Sequence, residues 1–187
     1  MTMECVVKLL IIVIIGINKT MRILGFIHKK WNLFLVNKIL VGPRPWTFKY
    51  KRILLRNIGY EIGEGTKIVG PITNTGSLIV GNHCWIGANL VIHGNGIVRI
   101  GDNCDIAPDV TFLTGGHEIG EAKRRAGNGE SYEISVGSGV WIGARSTIAR
   151  SVIIGNSTVL ATCSCVTKSV PENVLVGGVP ARTIKSL

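Results

Sequence analysis

The residues of this chain best suited to chemistry are its histidines, and His117 lies at an unusual point of the sequence. It stands where a regular apolar repeat stops and a polar, glycine-containing stretch, residues 113–135, begins. Long loops on a rigid scaffold are common places for functional residues. A neutral imidazole accepts a proton readily, because its unperturbed pKa is about 6.5. His117 is therefore a candidate functional residue with a side chain suited to general-base chemistry.

A histidine that acts as a base needs a partner that fixes which ring nitrogen carries the proton. Two acidic side chains in the same stretch, Glu118 and Glu133, are candidates for this role, and so is a backbone carbonyl. The sequence does not choose among these three.

Zinc binding is an alternative use of the histidines, because three imidazoles on neighbouring strands would form a metal site. His83 lies three residues after Val80, His93 one after Ile92, and His117 five after Phe112. These offsets place the three side chains at different corners of the fold described next. We therefore predict neither a metal site nor metal-dependent hydrolysis.

The elements that must position His117 follow from a six-residue repeat of aliphatic or aromatic residues. Helices repeat apolar residues every 3.6 positions and half-buried strands every two, whereas a period of six indicates a short strand followed by a sharp turn. Three such units make one coil of about 18 residues in a triangular parallel β-helix, an all-β fold. The repeating residues are Ile62, Ile68, Val80, Ile86, Ile92, Ile100, Ile106, Phe112, Val136, Ile142, Ile148, Ile154, Leu160 and Val166.

Residues two positions before many of these are also predicted to point inward. They are Tyr60, Leu78, Cys84, Leu90, Cys104, Val110, Val140 and Val152. Cys84 and Cys104 fall one coil apart, so we expect their thiols to stack inside the coil as small hydrophobic groups. The five cysteines form no CxxC pair and no zinc-finger spacing. Reduced thiols, and hence a cytoplasmic location, are the expectation.

The positive charge of the chain lies entirely at its N-terminal end. Residues 1–60 contain eleven Lys and Arg and one Glu, whereas residues 61–187 contain ten residues of each sign. The basic residues alternate with Ile, Leu, Phe and Trp, and no nucleic-acid-binding motif is present. We therefore predict no nucleic-acid partner. An anionic membrane surface fits this composition better.

Two apolar segments belong to this N-terminal region. Residues 6–17 are too few to span a bilayer, which needs about 20 apolar residues. Residues 22–41 are predicted to form a helix with an apolar side, and residues 49–57 a shorter one. Both apolar segments suit either anchors at the inner face of a membrane or helices that cap the solenoid. The predicted division is a helical segment over 1–57 and a β-helix over 58–187, with the catalytic loop at 113–135.

Several motifs between residue 58 and the C-terminus occur together in a characteristic order. They are Gly115-Gly116-His117, Val140-Trp141-Ile142-Gly143, Val166-Thr167-Lys168, Val170-Pro171 and Gly177-Gly178-Val179-Pro180-Ala181-Arg182. With these motifs in this order, the chain resembles the galactoside and maltose O-acetyltransferase branch of the hexapeptide-repeat acyltransferases. The resemblance implies a left-handed β-helix, acetyl-CoA as acyl donor, and a homotrimer with its active sites between neighbouring subunits.

The resemblance also implies roles for individual residues. His117 matches the catalytic histidine, and the backbone N–H of Ala144 matches the donor to the developing oxyanion. Many relatives have serine at that position, so only a backbone role is expected here. The expected acetyl-CoA contacts are Trp141, Ala144, Thr162, Thr167, Lys168, Arg182 and Lys185, of which Arg182 and Lys185 lie near its phosphates.

Acceptor binding is implied for Thr73 and Asn95, which align with sugar-contacting residues of the family. Gly87 stands where relatives have a polar side chain, so galactosides and maltose are not the expected acceptors. The basic, apolar N-terminus favours O-acetylation of a sugar hydroxyl in capsule, O-antigen or exopolysaccharide synthesis. A xenobiotic (antibiotic) O-acetyltransferase and a non-catalytic structural solenoid are the alternatives.

Overall fold

A computed structural model of the chain describes residues 25–187, with side-chain environments from Ile27 onward. The apolar segment at 6–17 and the first residues of the predicted 22–41 helix therefore lie outside the described residues. No helix within 25–187 is long and apolar enough to cross a bilayer.

Two helices precede the solenoid. Helix α1 (Gly25–Phe34) continues into a π-helical turn over Leu35–Ile39, and helix α2 covers Pro45–Arg56. The second helix begins four residues earlier than the predicted 49–57 segment. Pro45 occupies its first turn, where the missing N–H of proline costs nothing and its fixed φ favours the helix. Pro45 therefore accounts for the earlier start of this helix.

Short strands make up most of the chain after residue 60. In chain order they are β1 (Glu61–Ile62), β2 (Lys67–Ile68), β3 (Ile72–Asn74), β4 (Ser77–Val80), β5 (Trp85–Ile86), β6 (Leu90–His93), β7 (Ile97–Ile100), β8 (Asp105–Ile106), β9 (Thr111–Leu113), β10 (Gly115–Ile119), β11 (Ala126–Ser131), β12 (Glu133–Val136), β13 (Trp141–Ile142), β14 (Thr147–Ala149), β15 (Val152–Ile154), β16 (Val159–Leu160), β17 (Cys165–Val166), β18 (Val174–Gly178) and β19 (Ala181–Ser186).

The strands form a parallel β-solenoid of about six turns, as the six-residue period predicted. Its first face has the strand order β1-β4-β7-β12-β15, its second face β2-β5-β8-β13-β16-β18-β19, and its third face β3-β6-β9-β14-β17. Each strand pairs with strands of the neighbouring coils, so that Ile86 lies beside Ile106 and Ile106 beside Ile142. Strand β19 folds back antiparallel on β18. The antiparallel pair β10–β11 projects between the third and first faces.

The core confirms the predicted pattern. Every residue of the six-residue repeat is buried, and so is every residue predicted to point inward two positions earlier. Cys84 and Cys104 stack as predicted, with the Cys104 N–H 3.4 Å from the Cys84 sulfur. That neighbouring thiol and burial raise the pKa of Cys104, which keeps it a neutral thiol. The repeat position between Ile68 and Val80 is taken by Asn74, whose side-chain oxygen accepts the Gly76 N–H at 2.8 Å.

The N-terminal helices close one end of the solenoid. Lys51 of α2 is fully buried, and its ammonium donates to the carbonyls of Gly42, Ile68 and Val69 at 2.7, 2.8 and 2.9 Å. Burial, followed by the charge of Arg44, lowers the pKa of Lys51 to about 8, so it is still protonated at neutral pH. Three acceptors match the three N–H bonds of the ammonium group.

Asn37 in the π-helical turn pairs with β3, the strand at the end of the third face. Its side-chain oxygen accepts the Ile72 N–H at 2.9 Å, and its side-chain nitrogen donates to the Ile72 carbonyl at 2.8 Å. The amide thus replaces the strand that β3 lacks on this side. Residues 35–56 therefore cap the solenoid, which was one of the two predicted roles of the N-terminal segment.

Replacing Asn37 by alanine should destabilise the fold, because it leaves both backbone groups of the buried Ile72 unpaired. We expect Asn37→Ala to lower the free energy of unfolding by about 2 kcal/mol, measured by urea denaturation. Asn57→Ala, at an exposed position just after α2, is the matched control and should change it by less than about 0.5 kcal/mol. Equal stability of the two variants would show that Asn37 contributes nothing as a cap.

Candidate active site

His117 lies on the hairpin β10–β11, where its backbone is opposite Gly129. Residues 113–135 were predicted to form a loop, whereas the structure shows two paired strands there. The base of the hairpin is closed by the Tyr132 N–H, which donates to the Thr114 carbonyl at 2.7 Å. Both faces of the hairpin are largely exposed. It therefore has no apolar alternation by which strands could have been recognised.

A cleft of about 540 Å³ lies beside the hairpin, at the corner between the third and first faces. Its lining includes His93, Asn95, Leu113, His117, Gly129 and Ser131. The predicted acceptor residue Asn95 thus lies with the predicted base. His93 also lines this cleft, so the expectation that it occupies a different corner from His117 was wrong. The offsets from the repeat residues did not predict this, because residues 93 and 117 belong to adjacent coils whose ends meet here.

Two glycines, Gly94 and Gly96, allow the two walls of the cleft to meet. A Cβ at Gly94 would clash with the Gly115 N, and one at Gly96 would clash with the Tyr132 carbonyl. Gly94 also has a φ of +106°, which side-chain-bearing residues rarely adopt. The turn that carries Asn95 therefore rests directly on the base of the hairpin.

A hydrogen-bonded contact fixes the same two walls. The His93 carbonyl accepts the Thr114 N–H at 2.7 Å and the Thr114 hydroxyl at 3.1 Å. Thr114 is fully buried and lies three residues before His117. The positions of the His93 and His117 backbones are therefore fixed relative to each other.

The backbone carbonyl of Gly127 orients the His117 ring. Nδ1 of His117 lies 3.0 Å from the Gly127 oxygen. A carbonyl can only accept, so Nδ1 carries the hydrogen and donates it. Nε2 of the neutral ring is then left with its lone pair, which is the form that a base requires.

The two acidic residues that the sequence offered as partners of His117 have other contacts. Glu118 accepts from the Asn128 side chain at 3.0 Å, and Glu133 pairs with Arg99 at 2.7 Å. The carbonyl alternative is therefore the one that the structure contains. Position in the sequence gave no sign of it, because the contact depends on the hairpin register.

The other face of the hairpin carries a second polar network. Glu130 is opposite Gly116, so its side chain lies on the face away from His117. The Tyr132 hydroxyl donates to the Glu130 carboxylate at 2.7 Å, and this bond raises the pKa of Tyr132. A Cβ at Gly116 would lie 2.5 Å from the Tyr132 hydroxyl oxygen. Gly116 thus allows this pair to brace the strand that holds His117.

Trp141 lies apart from His117 within one chain. Its side chain is 56% exposed on the second face. It lines a separate groove of about 320 Å³ with Trp85, Asp105 and Pro108. The structure of a single chain therefore does not bring the predicted base and the predicted tryptophan together.

The other predicted acetyl-CoA residues lie near this groove or on the coils beyond it. The Ala144 carbonyl accepts the Cys163 N–H at 2.9 Å. This bond joins two neighbouring coils, so Ala144 and Thr162, the residue before Cys163, lie at corresponding corners of those coils. Trp141, Val159, Leu175 and Lys185 form one outward row on successive strands of the second face, about 14 Å long at the usual strand spacing.

The remaining predicted site residues are exposed but outside both clefts. Arg182 lies on β19, and its guanidinium donates to the Ala181 carbonyl at 2.9 Å. Thr167 and Lys168 directly follow β17 on the third face. Thr73 lies at the other end of that face, on β3, and is not part of the cleft lining.

Metal binding has no candidate within the described part of the chain. No group of three or more His, Cys, Asp or Glu in residues 25–187 is arranged to hold an ion. His93 and His117 share a cleft, but His83 lies in a turn at a φ of +55° and does not line it.

Acetyltransferases are among the known proteins that are similar to this chain. No protein-family model matches the chain. The galactoside O-acetyltransferase of Escherichia coli K12 is 34% identical over 145 residues, which are 76% of this chain and 71% of that protein. A protein of the same organism with the provisional name colanic acid biosynthesis acetyltransferase WcaF is 28% identical over 74% of this chain and 75% of its own length.

A solved structure supports the same relationship. The hexapeptide-repeat-containing acetyltransferase of Vibrio cholerae O1 biovar eltor, crystallised with acetyl coenzyme A, superposes with a TM-score of 0.74 at 27% identity. The match covers 86% of this chain and 85% of that one. Together with the solenoid and the His117 cleft, these similarities show that the chain belongs to the hexapeptide-repeat acetyltransferase family.

Proposed function

We propose that this protein transfers an acetyl group from acetyl-CoA to a hydroxyl of a saccharide, with His117 as general base. The observation that carries the proposal is the hydrogen bond from His117 Nδ1 to the Gly127 carbonyl. It leaves Nε2 free to accept a proton inside a cleft that also contains Asn95. The V. cholerae relative, crystallised with acetyl coenzyme A, supports the choice of donor.

The proposed reaction follows from these positions. Nε2 of His117 takes the proton of the acceptor hydroxyl as its oxygen attacks the thioester carbonyl carbon. The negative charge that develops on the carbonyl oxygen is stabilised by the backbone N–H of Ala144. When the C–S bond breaks, the leaving thiolate takes the proton from the imidazolium, and the acetyl ester is released.

A complete site then requires more than one copy of the chain. His117 and Trp141 line separate clefts within one subunit. In the proposed homotrimer, the His117 cleft of one subunit faces the Trp141 groove of its neighbour. Thr162, Thr167, Lys168, Arg182 and Lys185, all exposed, then contact the pantetheine chain and the phosphates of coenzyme A.

The acceptor that we favour is a lipid-linked saccharide in surface-polysaccharide synthesis, with Thr73 and Asn95 as its contacts. One supporting observation is the similarity to the colanic acid relative. The other is helix α1, which presents apolar side chains to solvent. A xenobiotic-acetylating enzyme would have no use for such a face.

That face of α1 suits the surface of an anionic membrane at the cytoplasmic side. Ile27, Trp31 and Phe34 are 54%, 45% and 45% exposed, and the Trp31 and Phe34 rings stack at 5.6 Å. Lys30 and Lys38 are also exposed. Aromatic and basic residues together are typical of helices that lie in the interface of a bilayer.

Removing the proposed base should abolish most of the transfer. We expect His117→Ala to lower kcat by about 10² to 10⁴-fold, measured as thiol release from acetyl-CoA, with coenzyme A binding retained. His83→Asn removes an exposed histidine from a left-handed turn that asparagine tolerates, and it should leave kcat unchanged. Normal kcat in His117→Ala would exclude His117 as the base.

A shared site can be tested by mixing two inactive variants. If each site combines His117 of one subunit with Trp141 of the next, co-expressed His117→Ala and Trp141→Ala chains form trimers in which about a quarter of the sites are intact. We expect about a quarter of wild-type activity from the mixture, and far less from either variant alone. No recovery in verified mixed trimers would place both residues in the same subunit's site.

Membrane association should depend on the exposed face of α1. The double variant Trp31→Ser/Phe34→Ser should bind vesicles of phosphatidylcholine and phosphatidylglycerol at least about tenfold more weakly in a flotation assay. Ile119→Ser removes a side chain that is 82% exposed on the hairpin and should have no effect. Equal flotation of all three proteins would contradict the anchoring role of α1.

A further inference from the structure

Three polar side chains that line the cleft with His117 can donate hydrogen bonds. They are His93, Asn95 and Ser131, which contribute an imidazole, an amide and a hydroxyl. His93 is exposed at the end of β6, where its side chain points outward from the third face. None of the three is a carboxylate, the side chain that accepts hydrogen bonds from sugar hydroxyls most strongly.

The acidic residues of the hairpin do not compensate for this. Glu130 is the one acidic residue in the lining, but its side chain lies on the opposite face of the hairpin and is bound by Tyr132. Glu118 lies at the irregularity in the hairpin register and accepts from the Asn128 side chain at 3.0 Å. Both carboxylates are therefore engaged by partners on the hairpin itself.

The far end of the hairpin adds positive charge. Lys123, Arg124 and Arg125 are consecutive and exposed in the turn between β10 and β11, with Glu121 as the acidic residue there. The Arg125 guanidinium donates to the Gly120 carbonyl at 3.2 Å, which holds it against the hairpin. An anionic group that approaches the cleft is thus attracted by the turn and meets hydrogen-bond donors inside.

We infer that the acceptor carries an anionic group close to the hydroxyl that is acetylated, and that His93, together with Asn95, binds this group. The inference rests on the proposed function and specifies its substrate class as an acidic saccharide or a sugar phosphate. His93 is suited to this role because its backbone is fixed to Thr114 at the base of the hairpin. These bonds place the His93 backbone at the base of the hairpin that carries His117.

Matched acceptors that differ only in charge test this inference. We would measure kcat and KM of the wild-type protein with oligogalacturonate and sialic acid oligomers, with the methyl ester of each, and with UDP-N-acetylglucosamine. We expect kcat/KM to be at least about tenfold higher for a charged acceptor than for its ester, as one charge-assisted hydrogen bond provides. A preference for the carboxylates identifies an acidic sugar, and a preference for the nucleotide sugar identifies a phosphate.

The variant His93→Ala then distinguishes acceptor binding from catalysis. It should raise KM for the preferred charged acceptor by about tenfold with kcat nearly unchanged, and remove the preference over the ester. Calorimetric binding of the same acceptor should weaken equally in His93→Ala and be retained in His117→Ala. The conservative variant His93→Gln, which keeps a donor, should restore part of the affinity.

Two results would overturn the inference while leaving the proposed function intact. One is a wild-type protein that uses the esters as well as the acids. The other is a His93→Ala protein whose KM for acetyl-CoA rises instead, which would assign His93 to the donor. A wild-type protein that acetylates no saccharide at all would contradict the proposed function itself, and this inference with it.

Discussion

Pairing between successive coils is the constraint on which the rest of this structure depends. Each strand bonds to strands one coil away, so the place of a residue within its unit of six decides whether its side chain enters the core or faces outward. The outward rows that result are straight. Trp141 and Lys185 lie in such a row on the second face, and the end of β6 lies on the third face. Polar groups gather where the hairpin β10–β11 interrupts the repeat.

Sequence periodicity predicted the solenoid core because burial there follows a strict period. All repeat residues are buried, and even the stacked Cys84 and Cys104 were foreseen. The start of helix α2 was not predicted, because Pro45 suits the first turn of a helix as well as a loop. The hairpin β10–β11 was missed for a different reason, since strands solvated on both faces have no apolar pattern.

The candidate site was predicted in part. A break in the repeat pointed to His117, and resemblance to a family pointed to Asn95, which lies in the same cleft. His93 was not found because it reaches the cleft only where two coils meet, and the Gly127 carbonyl was not found because its contact depends on the register of the hairpin. Trp141 and His117 lie in different clefts of one chain, so no reading of a single subunit could place them together.

The glycine contacts between the Asn95 turn and the hairpin base have a consequence for how such a site can diversify. Because Gly94 and Gly96 leave no room for any side chain, the distance between the two walls cannot drift by gradual substitution at these positions. Positions 93, 95 and 131 are free of that restriction, because their side chains project into open space. Exchange of these outward groups can thus change what the cleft binds, while the frame that holds the proposed base stays the same.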